Sequence, residues 1–81
     1  MTIVKCWDNQ EPQEFKMEFE TTEKACKWID DFMQFRWNKL CDEYPNTDIV
    51  WLNRLLDCGN ETTIYVPNTS IEIVCELVEN E

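Results

Sequence analysis

Two pairs of adjacent carboxylates, Asp30-Asp31 and Asp42-Glu43, are the residues best suited by type to general acid–base work or divalent-metal binding. Both pairs fall in a segment that reads as helix. Consecutive helical side chains diverge by about 100°, so neither pair converges on one point. The other raw material is five cysteines, Cys6, Cys26, Cys41, Cys58 and Cys75. None stands at C-x-x-C spacing and the chain has no histidine, so a zinc site is not expected. Five cannot all pair within one molecule. Most lie in phase with apolar neighbours, as free thiols do when they act as small core residues. The missing histidine also removes the usual activator of a serine or cysteine nucleophile, and Ser70 sits in a turn with none nearby. Gly59 stands alone, so there is no glycine-rich phosphate loop. The run Asp57-Cys58-Gly59-Asn60-Glu61 lacks the alternating oxygen ligands of a calcium loop. The chain is therefore expected to be no enzyme and to use no cofactor or metal.

What remains is charge. The 81 residues carry 17 acidic and 7 basic side chains, a formal net charge of -10. From Leu55 onward there is no Lys or Arg, against Asp57, Glu61, Glu72, Glu76, Glu79 and Glu81. Such a surface repels nucleic acid and anionic membrane and attracts basic grooves. The expected partner is a protein with a basic groove, with no direct contact to nucleic acid or membrane. On a strand, side chains at i and i+2 stand about 6.6 to 6.8 Å apart on one face. Glu18 and Glu20 make one such step; Glu72 and Glu76 make a double step across Val74, with Glu79 beyond. Regularly spaced fixed anions are what a phosphate-binding groove of Lys and Arg recognises. If the outer strands are neighbours, these glutamates form one carboxylate array.

Trp7, Trp28, Trp37 and Trp51 are a large aromatic allotment for so short a chain. Trp28 lies, with Phe35, near the edge of the polar face of the predicted helix, where the pair is expected to anchor a partner. The alternative use of these aromatics is burial between two copies in a homo-oligomer, with the acids serving only solubility.

Length points to one domain, residues 1–81, and at 9.8 kDa folding buries about 64% of the extended surface. Residues 2 to 7 are rich in β-branched side chains, and Asn9 to Gln13 has turn chemistry. Glu14 to Glu20 alternates cleanly, with Phe15, Met17 and Phe19 on one face; the two segments read as a hairpin. Thr21 or Thr22 can cap a helix that runs to Tyr44, with Glu23 in its first turn. Ile29, Leu40, Met33, Cys26, Tyr44 and Trp37 fall within an arc of about 80° of that helix. Pro45 stops it. Ile49, Leu52, Leu55 and Leu56, followed by Gly59, predict a second short helix over about 48–57, with a strand through Ile49–Leu52 as the alternative. Residues 62–66 and 71–78 read as strands around the turn Pro67-Asn68-Thr69-Ser70. In the last, Ile71, Ile73, Cys75 and Leu77 share a face. The expected fold is α+β: two hairpins in a four-stranded, mostly antiparallel sheet, with one long and one short helix on one face.

The strand Phe15-Lys16-Met17-Glu18-Phe19, the junction Glu20-Thr21-Thr22-Glu23 and the helix through Ala25, Trp28, Ile29 and Phe32 resemble in layout the small acidic phage-encoded inhibitors of host defence, the anti-CRISPR proteins among them. They cover about a quarter of the chain and carry no defining motif, so no functional residue passes across. The resemblance implies a non-enzymatic blocker seated on the nucleic-acid or target-recognition surface of a defence effector. No signal peptide or membrane span is visible in the sequence, and the cytoplasm, the host's if phage-encoded, is the expected compartment.

Overall fold

The computed structural model describes residues 2–9, 13–54 and 60–79, the side chains of residues 13, 15 and 79 apart. The first two strands, β1 (Thr2–Asp8) and β2 (Gln13–Phe19), pair as the hairpin that the alternation predicts, from Thr2 opposite Phe19 to Asp8 opposite Gln13. Among the described residues one α-helix, α1 (Thr22–Glu43), follows. Thr21 caps it: its hydroxyl oxygen accepts the Lys24 amide N–H at 3.2 Å, and Glu23 opposes the helix dipole. The helix ends at Tyr44 because the residue before Pro45 is pushed out of helical conformation, here to φ -126° and ψ 64°.

The chain then returns as a meander of β3 (Val50–Leu52), β4 (Glu61–Tyr65) and β5 (Glu72–Glu79). The sheet has five strands in the order β2-β1-β5-β4-β3, antiparallel at every step. The β4–β5 turn closes with a Val66 N–H bond to the Ile71 carbonyl at 3.2 Å. Asn68 takes φ 65° in this turn, a left-handed conformation that Asn tolerates better than most residues.

At about 1.5 Å per residue, the 22 residues of α1 span about 33 Å and cover one face of the sheet. Val4, Cys6, Ile64, Ile73 and Cys75 from the sheet are sealed against Ala25, Ile29, Met33 and Leu40 from the helix. Phe19, Trp28, Phe32, Trp37, Tyr44, Ile49 and Trp51 close the rim. Each fully buried large aliphatic contributes about 1.5–3 kcal/mol, so this one interface dominates stability.

The architecture corrects the expected four strands and two helices. The segment assigned to a short helix over 48–57 forms no helix between 48 and 52: Val50–Leu52 is a strand, with Trp51 opposite Ile64 on β4. Residues 55–59 lie outside the described residues. Packing decided the matter. A strand turns Trp51 inward, where its ring lies 5.6 Å from Trp37 and its indole N–H donates to the Thr62 hydroxyl at 2.8 Å. The β1–β2 and β4–β5 hairpins lie side by side through β1 and β5, so β2 and β5, the strands of Glu18 and of Glu72 and Glu76, are not neighbours.

Candidate partner-binding surface

Strand alternation sets the surface. Thr2, Val4, Cys6 and Asp8 of β1 and Ile73, Cys75 and Leu77 of β5 face α1, so their neighbours face the other way, where no described element covers the sheet. Cross-strand register arranges that open face in four rows. Glu18 lies in line with Ile3 and Val78; Lys16 with Lys5, Glu76 and Glu61. Glu14 lies in line with Trp7, Val74, Thr63 and Leu52, and Glu72 with Tyr65 and Val50. Glu14, Glu18, Glu61, Glu72 and Glu76 are exposed, against Lys5 and Lys16 as the cations of the same face.

The glutamates therefore do not make one array. Strand spacing of about 4.8 Å puts β2 about 10 Å from β5, with β1 and its Lys5 between them. Glu61, Glu72 and Glu76 form the acidic side of the face. Glu18 stands apart at the β2 edge. Glu20 lies just past the strand and holds Lys24 at 3.5 Å in an exposed ion pair. Glu79 ends β5, and its side chain lies outside the described residues.

The anticipated aromatic pair separates. Trp28 stacks on Phe32 with ring centroids 5.2 Å apart and lies 6.1 Å from Phe19, so it is part of the core rim. Phe35 is 66% exposed, on a helix that packs against the opposite face of the sheet. The aromatic that does share a face with the glutamates is Trp7, 40% exposed between Glu14 and Val74. Its signal was present in the sequence: it alternates with Cys6 and Asp8, whose buried phase is that of Val4. Toward the other edge of that face, Leu52, Thr63, Tyr65 and Glu72 line a cleft of about 410 Å³ with Thr69, Ser70 and Ile71 from the β4–β5 turn.

No protein-family model, curated protein or solved structure matches this chain. The surface must be read from its own chemistry. Among the described residues no group of three or more Cys, Asp or Glu side chains could hold a metal ion, and no helix is long and apolar enough to cross a membrane.

Two arrangements escaped sequence reasoning. Asp8 and Arg36 form an ion pair at 2.8 Å between β1 and α1, each side chain only 12% exposed. Its signal was phase, since Thr2, Val4, Cys6 and Asp8 share one strand face and Ile29, Met33, Arg36 and Leu40 follow helical spacing. Arg54 lies 4.3 Å over the Trp51 ring, donates to the Gln34 side-chain oxygen at 2.8 Å and approaches Asp30 at 4.0 Å. It braces the meander against the helix.

Proposed function

We propose that the protein is a non-enzymatic acidic binding protein, acting in the cytoplasm, that inhibits a nucleic-acid-handling protein of the kind used in host defence by occupying its basic nucleic-acid-binding surface. The observation that carries this reading is the uncovered sheet face, on which Trp7 is exposed among five glutamates and two lysines. A half-exposed Trp supplies apolar contact area, and flanking carboxylates supply attraction to Lys and Arg and faster encounter. A rigid five-stranded scaffold holds these groups without ordering cost on binding. Glu72 and Glu76, about 13 Å apart on β5, and Glu61 beside Glu76 are the groups assigned to the cations of the partner.

The test begins with capture of the partner from a host lysate and its elution on a salt gradient. Competition with the nucleic acid of that partner is then measured by fluorescence anisotropy. Glu72→Lys with Glu76→Lys is expected to weaken binding about tenfold or more and to flatten its salt dependence. Trp7→Ala is expected to weaken it with the salt slope kept. Unchanged affinity in the double reversal, or simultaneous binding of nucleic acid, would refute the proposal.

A second reading, a homodimer, rests on a different observation. The free edge of β2 is seven residues long, and antiparallel self-pairing about Met17 sets Lys16 opposite Glu18 of a second copy. Light scattering across micromolar concentrations distinguishes it: a monomer throughout removes this reading.

A further inference from the structure

We propose that Cys6 and Cys75 are an intrachain disulfide site, at which a small-molecule disulfide such as oxidised glutathione closes a covalent link between β1 and β5. The two residues are direct cross-strand partners at the centre of the sheet. Their sulfurs touch at 2.7 Å, and the residues are 2% and 0% exposed.

The hydrogen-bond phase of the sheet favours the link. Asn9 N–H donates to the Glu72 carbonyl on the β1–β5 side, and Leu77 N–H donates to the Asn60 carbonyl on the β5–β4 side. Counting two residues at a time from each bond, Cys75 exchanges its backbone bonds with Thr62 and faces Cys6 as a non-hydrogen-bonded pair. Such pairs have Cα atoms about 4.5 Å apart and their side chains closest, within the range that a disulfide spans. The other two described cysteines cannot pair with each other. Cys26 and Cys41 are fifteen residues apart on α1, about 22 Å along its axis. Cys58 lies outside the described residues.

The reaction is a double thiol–disulfide exchange. One cysteine sulfur attacks the small disulfide RSSR, forming a mixed disulfide and releasing RSH. The second cysteine sulfur attacks that mixed disulfide, forming the Cys6–Cys75 bond and releasing a second RSH. The cysteines lose two electrons and two protons; the small disulfide gains both. Hydrogen bonding to Cys6 and then burial push the Cys75 thiol well above its ordinary pKa, and α1 leaves no room for a mixed disulfide in the closed fold. Exchange therefore proceeds while the chain folds, or through opening of the sheet, and the finished bond is shielded from reduction. The link fastens the two strands that carry Trp7, Glu72 and Glu76, and the inference does not depend on what those residues bind.

The experiment is refolding of the reduced, denatured protein in a buffer rich in oxidised glutathione, beside a control kept in excess thiol. Both are alkylated in denaturant, digested and analysed by mass spectrometry. The expected result is loss of two hydrogens, a single peptide linkage joining Cys6 to Cys75, and alkylation of the remaining three of the five cysteines. The thermal midpoint of the linked form is expected to rise by more than about 10 °C over the reduced control. That comparison uses one sequence, so it does not depend on a variant folding; Cys75→Ala, if folded, abolishes the rise. Recovery of all five thiols, a different pairing, or a linked form no more stable than the control overturns the proposal.

Discussion

Removing one member of the Asp8–Arg36 pair is expected to destabilise the fold by about 3 kcal/mol, while replacing both costs far less than the sum. At 2.8 Å and an effective dielectric of about 20, the gross attraction is about 6 kcal/mol. Withdrawal of each ion from water costs several kcal/mol, so the pair as a whole contributes little net stability. One ion left alone keeps its desolvation penalty and loses the compensation, which costs about 3–5 kcal/mol for a buried pair. The 12% exposure of each side chain puts this site at the lower end of that range. For 81 residues, total stability of about 4–12 kcal/mol is typical, so either single loss is a quarter or more of it. The assay is urea unfolding of Asp8→Leu, Arg36→Met and the double variant, compared at constant m-value. The double variant is expected within about 1 kcal/mol of the parent, against a sum of about 6 for the two singles, which makes the coupling energy about 5 kcal/mol. Both side chains have further partners, so the cycle reports the whole local network. Single losses under about 1 kcal/mol, the size of a surface pair, or strict additivity would refute the argument.

Stability of the reduced protein is expected to fall as pH rises past about 9. Folding holds the Cys75 thiol protonated where the unfolded chain, with the ordinary value of 9.0, releases its proton. The folded state then binds more protons, and the slope is about 1.4 kcal/mol per pH unit from this group, visible as a declining urea midpoint that is absent in Cys75→Ala. Among the aromatics of α1, Trp28→Ala is expected to cost about 2–3 kcal/mol because its ring packs on Phe19 and Phe32, and Phe35→Ala to stay within about 0.5 kcal/mol. Equal losses in the two variants would contradict the packing described for them.

Local signals carried most of the element boundaries. The alternation of residues 14–20, the Thr21 cap, the Pro45 stop and the shared face of Ile71, Ile73, Cys75 and Leu77 each act within a few residues, and each reappears in the fold. The failures were long-range. Residues 49–52 read first as helix, with a strand as the alternative, and the strand won through Trp37 and the Thr62 hydroxyl, partners fourteen and eleven residues from Trp51. Strand order had the same character. Nothing local in β1 says that its second neighbour is the last strand, and that pairing is what divides Glu18 from Glu72 and Glu76. Trp28 was misplaced for the converse reason: a position at the edge of a helical arc is exposed or covered according to what the neighbouring strand offers, here Phe19.

The central place of β1 and β5 also has a kinetic consequence. Once made, β1 finds its inner partner only after more than sixty further residues have left the ribosome. Until then the nascent chain holds the β1–β2 and β3–β4 ribbons and an amphipathic helix, none stable alone. High contact order of this kind slows collapse to the native arrangement and prolongs the exposure of apolar strands. The dense negative charge of the chain keeps such waiting intermediates from sticking to one another, a service rendered before any partner is met.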